Sequence, residues 1–471
     1  MSNFYITTPI YYVNDSPHIG HLYTTLAADI LARFHKRQGD DVFFLTGTDE
    51  HGAKVAQAAK AAGKSPQQFA DTVAAQFSEA WRAVDIAPDR FIRTTDEDHI
   101  ALARQFLRDL DKKGEIYQGV YEGLYCVACE TYYKQEELLA GGLDPVHQKP
   151  VERIKEDVWF FKLSTYQKQL IKLIKNNKLA IEPESRRNEV LGFLHNESLE
   201  DIAITRSKVA WGIPVPWDTK QTFYVWIEAL LNYLTAAQGK KIWPPTIQII
   251  GKDILRFHAV IWPALLIAAG IELPKKLFVH GFFTIGGAKM SKTAGNVIAP
   301  AELTDRYGVE ATRILLFTGF DFGEDGDFSL KNFDELYNAK LANDLGNLLQ
   351  RTVILIRNSK LPARAGGEIR NSGNISCAEA DARLEQADFR GALNAVFMIV
   401  TEANQYIDEQ KPWALDVAKD RQTIEKIFTS LTNRLLTVAA GLEPFAPGVA
   451  SAIREQLKTL EPTPLFPKIS K

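Results

Sequence analysis

The first fifty residues predict a strand, a helix and a second strand, which together form a parallel βαβ unit. The run FYITTPIYYV is short, aromatic and β-branched, and this composition is typical of a strand that is buried on both faces. Apolar residues then recur at helical spacing, and DDVFFLTGTDEHG predicts the second strand. We therefore expect an α/β fold whose functional groups lie at the carboxyl ends of parallel strands.

Two histidines lie where the first strand gives way to the helix, in the segment DSPHIGH. Asp15 and Ser16 are good N-cap residues, and Pro17 suits the first helical position. This places His18 and His21 in the first turn, where unpaired N–H groups and the helix dipole suit a phosphate. The alternative is an ordinary pair of capping or core histidines. A metal pair is less favoured, because no third ligand follows at the spacing of HExxH.

Two lysines lie much further along the chain, in the segment GGAKMSKTAGN. Lys289 and Lys292 are three residues apart, and Gly286, Gly287 and Gly295 bracket them. The glycines predict a loop that can move, and two lysines on such a loop can close over a polyphosphate. Taken alone, this pattern is better explained by a solvated charge run.

Composition restricts the class of protein. A chain of 471 residues with 46% hydrophobic content can bury more than one core, and no apolar run reaches the roughly twenty residues that span a bilayer. Three cysteines and no signal peptide indicate a cytoplasmic protein without a disulfide framework. The net charge of −3 gives no global case for nucleic-acid binding, although a local basic face could bind RNA.

Later segments extend this organisation. Features of a parallel sheet return at FYVWIEALLNYL, IQIIGKDILRFHAVIWPALL and LFVHGFF, after a stretch that looks inserted. From Phe333 onward the pattern is mostly amphipathic helix, interrupted by a polar loop at 358–376.

HIGH and KMSKT together resemble the two nucleotide-binding motifs of class I aminoacyl-tRNA synthetases, with Thr293 in place of the usual last serine. Over essentially the whole chain, the resemblance is to the methionyl-tRNA synthetase family. The segments that carry it are PIYYVNDSPHIGH, TGTDEHG, WGIPVP, FYVWIEALLNY, IGKDILRFH, HGFFTIGGAKMSK and DEQKPW. The resemblance implies methionine-tRNA ligase activity, in which methionine and Mg²⁺-ATP give methionyl adenylate and pyrophosphate. Methionine then passes to the 3′ end of methionine tRNA for translation initiation and elongation.

The resemblance also implies a fold and its domains. We expect a Rossmann-like catalytic domain with a parallel sheet and a small knuckle-type insertion, followed by an all-α anticodon-binding domain. The predicted boundaries are 1–118 and 206–285 for the two halves of the catalytic domain, 119–205 for the insertion, 286–332 for the KMSK loop and stem-contact region, and 333–471 for the helical domain.

Site residues follow from the same resemblance. The catalytic group would be His18, His21, Lys289 and Lys292, which contact the phosphates. ATP would also contact Gly20, Gly251, Asp253, Met290 and Ser291, together with the two lysines. Methionine would bind Ile10, Tyr12, Asp49, Trp226, Ala229, Tyr233, Ile254 and His258, with Asp49 holding its ammonium group. An apolar, aromatic pocket suits a flexible thioether. The alternative for each aromatic residue is simple core packing, which is favoured for Tyr233 taken alone. Leu230 stands where proline is common among relatives.

The insertion contains a candidate metal site. Cys126, Cys129, Asp144 and His147 form a C-x2-C-x14-D-x2-H array, which predicts one structural Zn²⁺ held by thiolates, an imidazole and a carboxylate. Members of the family with a single knuckle usually have cysteine in place of Asp144. The alternative is a reduced CxxC in a fold that has lost its metal.

The helical end contains a candidate RNA site. Asn347 and Arg351 are one helical turn apart, and Trp413 follows Pro412. Polar groups beside an aromatic ring suit unstacked bases, whereas the alternative is a helix-capping Asn347 and a packed Trp413. The resemblance favours the first, because these positions match the anticodon-reading residues of the family. No oligonucleotide-binding barrel follows the helices, so we expect a monomer.

Two other functions remain open at this point. One is another class I synthetase, although enzymes for leucine, isoleucine or valine carry a larger insertion and a cysteine enzyme places metal ligands at the catalytic pocket. The other is a non-catalytic RNA-binding paralogue, which would have no physical reason to keep HIGH and both lysines. Amino acid-dependent exchange between ATP and pyrophosphate separates them all.

Overall fold

The computed structural model describes residues 2–126, 131–133, 135–145, 148–289, 296–361 and 375–469, with backbone alone at 131, 132, 288 and 289. The chain divides into two compact units, which are described separately. Unit 1 comprises Met1–Pro17, Asp40–Arg82 and Ala87–His280. Unit 2 comprises His18–Gly39, Ala83–Ile86 and Gly281–Lys471.

The strands in chain order are β1 (Asn3–Tyr12), β2 (Asp41–Asp49), β3 (Arg90–Arg93), β4 (Ile116–Cys126), β5 (Thr131–Tyr133), β6 (Glu152–Phe161), β7 (Ala180–Glu182), β8 (Ile202–Ala203), β9 (Thr205–Arg206), β10 (Pro214–Val215), β11 (Asp218–Phe223), β12 (Ile247–Gly251), β13 (Lys276–His280), β14 (Phe283–Ile285), β15 (Ala288–Lys289) and β16 (Gly326–Phe328).

The α-helices are α1 (Ile19–Gln38), α2 (Ala53–Ala61), α3 (Pro66–Ala83), α4 (Glu97–Lys112), α5 (Gln167–Lys175), α6 (Glu184–Asn196), α7 (Val225–Leu230), α8 (Asn232–Ala237), α9 (Trp262–Ala269), α10 (Pro300–Tyr307), α11 (Val309–Leu315), α12 (Leu330–Leu336), α13 (Asn347–Ser359), α14 (Ala378–Leu384), α15 (Phe389–Gln410), α16 (Arg421–Leu442) and α17 (Pro447–Thr459). Two π-helical segments cover Phe257–Ile261 and Tyr337–Gly346.

The central sheet of unit 1 has the strand order β3-β2-β1-β12-β13-β7, and all of its pairings are parallel. This confirms the predicted parallel-sheet α/β fold. Its strands are rich in apolar residues because both faces are covered, and Tyr5, Leu45, Ile250 and Leu277 belong to one buried cluster. The strand order reverses between β1 and β12, the position at which open α/β sheets bind ligands.

Two smaller sheets complete unit 1. The insertion forms a sheet of order β5-β4-β6-β8. Within it β4 and β6 form a long antiparallel pair, in which Ile116 is opposite Phe161 and Tyr125 is opposite Glu152. The second has the order β10-β11-β9. The parallel-sheet prediction for FYVWIEALLNYL is wrong, because only Phe223 lies in a strand, which is antiparallel, and α7 and α8 follow. A short apolar run does not distinguish a buried strand from a buried helix.

Unit 2 is mainly helical from α10 onward, which confirms the predicted helical C-terminal region. Unit 2 also contains a small sheet of order β15-β14-β16. Within the unit, the fully buried Arg313 donates to Asp29 of α1 at 2.6 Å and to the carbonyl of Phe445 at 2.6 Å. Across the described residues, no helix is long and apolar enough to cross a membrane. The predicted domain boundaries stay predictions.

Candidate active site

The histidine turn (His18 to His21) lies in unit 2, at the start of α1. His18 itself is the N-cap, and its Nδ1 accepts a hydrogen bond from the backbone N–H of Gly20 at 3.1 Å. His21 Nδ1 accepts from the N–H of His18 at 3.3 Å, so the two side chains form a reciprocal capping box. The prediction that Asp15 or Ser16 caps the helix is therefore wrong, because the histidine side chains accept the hydrogen bonds from the backbone N–H groups of His18 and Gly20.

The capping hydrogen bonds determine which nitrogen of each ring carries the proton. The rings stack with centroids 3.7 Å apart, and each Nδ1 that accepts a hydrogen bond leaves the ring proton on Nε2. Burial and the neighbouring His18 hold the pKa of His21 well below its usual value. The pair thus offers neutral N–H donors, which can bind phosphate oxygens without adding charge.

The segment before the predicted lysine motif is a β-hairpin in unit 2. Gly286 and Gly287 both have positive φ, of 60° and 77°, and form the turn between β14 and β15. Asp327 accepts from the N–H of Gly287 at 2.8 Å and the hydroxyl of Thr284 at 2.7 Å. These bonds hold the pKa of Asp327 below its usual value. These glycines are therefore hairpin-turn residues, which spacing alone could not show.

Lys289 ends β15, and its backbone pairs with Thr284. Met290, Ser291 and Lys292 lie outside the described residues. Immediately after that gap, the carbonyl of Ile298 accepts a hydrogen bond from the N–H of Ile19 at 3.0 Å. Unit 2 therefore brings the chain that follows the lysine motif to the first turn of α1.

The predicted methionine residues lie in unit 1, several of them at the carboxyl edge of the central sheet. Tyr12 and Asp49 are the last residues of β1 and β2 and are paired in the ladder. Asp49 is buried, whereas Ile10 and Tyr12 are half-buried and Lys54 Nζ is 5.9 Å from the Tyr12 ring centroid. The structure therefore brings together a carboxylate and an aromatic ring from separate strands, and both belong to predicted site residues.

A second group of predicted residues is organised around His258. His258 Nδ1 donates to the carbonyl of Ile254 at 3.0 Å, so its Nε2 accepts from the hydroxyl of Tyr233 at 2.8 Å. Tyr5 in turn donates to the carbonyl of Tyr233 at 2.9 Å. Burial lowers the pKa of His258 to about 4 and raises the pKa of Tyr233. Both side chains are therefore neutral at physiological pH.

The remaining predicted residues of unit 1 lie on α7 and after β12. Trp226 stacks on Phe257 with ring centroids 3.9 Å apart, while Ala229 is buried. Gly251 ends β12, and a Cβ at this position would lie 2.6 Å from Asp253 Oδ1. A side chain at Gly251 would therefore displace the Asp253 carboxylate.

The predicted anticodon residues lie in unit 2. Arg351 Nη2 donates to Asp408 at 2.6 Å, and its guanidinium carbon is 5.5 Å from the Trp413 ring centroid. Asn347 is four residues before Arg351, and the π-helical segment runs directly into α13, so Asn347 does not begin an isolated helix. Trp413 is 53% exposed, so the alternative of a packed tryptophan is wrong.

Comparison with known proteins gives matches along nearly the whole chain. Methionine-tRNA ligases of Streptomyces coelicolor and Caldanaerobacter subterraneus are both 43% identical to it, covering 96% and 97% of this chain and 89% and 74% of the relatives. A family model described as "tRNA synthetases class I (M)" matches residues 4–142 and 143–353. The chain belongs to the methionyl-tRNA synthetase family. The structure of Mycobacterium tuberculosis methionyl-tRNA synthetase in complex with methionyl-adenylate is similar, with a TM-score of 0.89, 35% identity, and coverage of 100% of this chain and 99% of that one.

The candidate metal site of the insertion lies only partly within the described residues. Cys126 and Asp144 are buried, and Asp144 Oδ2 accepts from the N–H of Lys149 at 2.8 Å. Cys129 and His147 lie outside the described residues, among which no group of three or more metal-ligating side chains was found. A buried thiol and carboxylate are compatible with zinc, whose occupancy stays a prediction.

Sequence reasoning assigned no role to three buried polar residues of the chain: His51, His99 and Glu228. The Glu228 carboxylate contacts both imidazoles. The one available signal was the glutamate inside the apolar run FYVWIEALLNYL, since a buried charge requires partners. The partners could not be identified, because they lie more than a hundred residues away in the sequence.

Proposed function

We propose that this protein is a methionine-tRNA ligase that activates L-methionine with ATP and transfers it to methionine tRNA. The observation that carries the proposal is its 43% identity, over 96% of the chain, to a methionine-tRNA ligase. The structural neighbour is described in complex with methionyl-adenylate, the product expected of the first step. The pocket geometry in unit 1 supports the same substrate.

The amino acid pocket suits methionine for three physical reasons. The Asp49 carboxylate, at the edge of the sheet, can pair with the substrate ammonium group. Neutral His258 and Tyr233 add no charge near a thioether, which is uncharged and accepts hydrogen bonds only weakly. Ile10, Tyr12, Trp226, Ala229 and Ile254 would supply the apolar walls against which such a side chain packs.

Activation requires positioning and charge stabilisation. The methionine carboxylate attacks the α-phosphorus of Mg²⁺-ATP, the bond to the β-phosphate oxygen breaks, and pyrophosphate leaves. His18 and His21 would donate Nε2–H groups to the phosphates, while Lys289 and Lys292 would neutralise charge on the leaving pyrophosphate. Gly20, Gly251, Asp253, Met290 and Ser291 would complete the ATP contacts. A protein nucleophile is unnecessary.

Transfer requires recognition of the tRNA. A hydroxyl of its terminal ribose attacks the adenylate carbonyl, and AMP leaves. Trp413 would stack on an unpaired anticodon base, beside hydrogen bonds from Asn347 and Arg351. We further propose residues 333–471 as the anticodon-binding domain, one structural Zn²⁺ at the knuckle, a monomeric state and a cytoplasmic location.

Aminoacylation tests the proposed function. Wild-type protein should transfer labelled methionine to methionine tRNA, and a transcript with its CAU anticodon changed should be charged at least tenfold more slowly, because single recognition contacts contribute about 1 to 3 kcal/mol. Equal charging of the two transcripts would contradict the anticodon assignment. The absence of charging by folded protein would contradict the function.

A further inference from the structure

A buried carboxylate in unit 1, that of Glu228, links helices α7 and α4 to the segment that follows β2. Glu228, on α7, is fully buried, and its two oxygens contact His51 Nδ1 at 2.7 Å and His99 Nε2 at 2.9 Å. His99 is also fully buried, and its Nδ1 lies 3.1 Å from Thr235 Oγ1 of α8. We call Glu228 with its two histidines the carboxylate clamp.

The protons of the clamp follow from its chemistry. An ionised carboxylate only accepts, so His51 must carry a proton on Nδ1 and His99 must carry one on Nε2. Burial alone would raise the pKa of Glu228, but the Coulombic interactions with His51 and His99, together with the hydrogen bonds from both imidazoles, outweigh it and hold that pKa below its usual value. The carboxylate therefore stays ionised, and both of its oxygens have partners.

The clamp is attached to the predicted methionine residues on both sides. Glu228 lies on the same short helix as Trp226 and Ala229. His51 follows the last residue of β2, Asp49, by two positions. The hydrogen bond from His51 to Glu228 therefore links the strand end that carries the ammonium partner to the helix that carries the pocket wall.

We propose that the carboxylate clamp is a positioning network for the amino acid. In this network His99, which is not a predicted substrate contact, fixes the Glu228 carboxylate and through it the distance between Asp49 and α7. The proposal rests on the proposed function, because it takes these residues to bind methionine. A helix of one and a half turns has little rigidity of its own, so its placement depends on such contacts.

Paired substitutions of His99 test the network. His99→Gln keeps an N–H donor that can reach Glu228, whereas His99→Leu fills similar space without one. We expect His99→Leu to raise the KM for methionine about tenfold in ATP–pyrophosphate exchange, with the KM for ATP within about twofold, because small misplacements strongly affect reactant binding. His99→Gln should stay within about threefold of wild type for methionine, since it retains the bond.

The controls separate positioning from loss of fold. Glu156→Gln perturbs another buried glutamate of unit 1, one that accepts from the N–H of Ser207 at 3.0 Å and its hydroxyl at 2.9 Å, and should leave both KM values unchanged. If His99→Leu does not fold, Thr235→Val removes only the hydroxyl beside His99 and should give a smaller rise for methionine alone.

Two results would overturn the clamp: equal KM values for methionine in His99→Leu and His99→Gln, or parallel rises for methionine and ATP. Wild-type protein without methionine-dependent exchange would instead overturn the proposed function, so the two failures are distinguishable.

Discussion

Burial lowers the pKa of His21 and of His258, two of the predicted site histidines. His258 is neutral because burial disfavours its charge, and the Ile254 carbonyl and Tyr233 hydroxyl fix its tautomer. The sequence predicted that His258, His18 and His21 belong to a site. It could not predict the lowered pKa values of His21 and His258, because these depend on burial and on partners that only the fold brings near.

The lowered pKa of His258 predicts a pH-dependent stability. The unfolded state binds a proton near pH 6.5 and the folded state only near pH 4, so the contribution is complete above 6.5 and is lost as the pH falls towards 4. His258→Gln should reduce the slope of the free energy of unfolding in this window by up to about 1.4 kcal/mol per pH unit. Urea titrations measure it, with the exposed His195→Gln as control. An unchanged slope in His258→Gln would contradict the account.

His21→Ala tests the histidine turn. It removes one capping bond, worth about 1 kcal/mol of stability, together with a donor that we expect to bind developing phosphate charge, worth about 10²-fold or more in rate. His21→Ala should therefore strongly lower the rate of methionine activation and lower the melting temperature only slightly. Lys292→Ala should give the same result. Gln38→Ala, at the exposed end of α1, is the control. Near-normal exchange in His21→Ala would refute the assignment.

Secondary-structure elements differ in how far their sequences determine them. The strands β1, β2, β12 and β13 could be predicted from aromatic and β-branched runs, because burial on both faces demands that composition. The run at 223–234 could not, since a short apolar run does not distinguish a buried strand from buried helices. The cap of α1 was mispredicted because histidine is an uncommon cap, whereas aspartate and serine are common.

Trp413→Ala tests the short 3-10 helix Pro412–Ala414, which exposes the ring beside Arg351. Adenylate formation should be nearly unchanged, while charging of methionine tRNA should fall by one to two decades, because a stacked base contributes about 1 to 3 kcal/mol. Met398→Ala removes another exposed apolar side chain of unit 2 and should affect neither assay. Equal losses in activation and charging would show that Trp413 supports the fold instead.

For the whole molecule, the sequence motifs indicated the family and the order of its regions, but not the contacts between distant segments. The carboxylate clamp, the Arg313–Asp29 ion pair and the Tyr233–His258 pair all join residues far apart in the chain. Such contacts depend on how the segments pack, which local pattern does not encode.

The insertion provides a test by metal content. One zinc at Cys126, Cys129, Asp144 and His147 predicts close to one equivalent in purified protein, and tighter binding in Asp144→Cys, because thiolate is the softer ligand. Cys126→Ser should release the metal and impair transfer to tRNA more than activation. Metal-free protein from a zinc-replete preparation, with stability unchanged by a chelator, would show that the knuckle has lost its zinc.

Methionine-dependent exchange of labelled pyrophosphate into ATP, without tRNA, tests the central claim most directly. We predict rapid exchange with methionine and at least tenfold slower exchange with leucine, isoleucine, valine or cysteine at equal concentration, because the proposed pocket suits a long, unbranched thioether. No exchange with methionine, or faster exchange with another of these amino acids, would contradict the assignment.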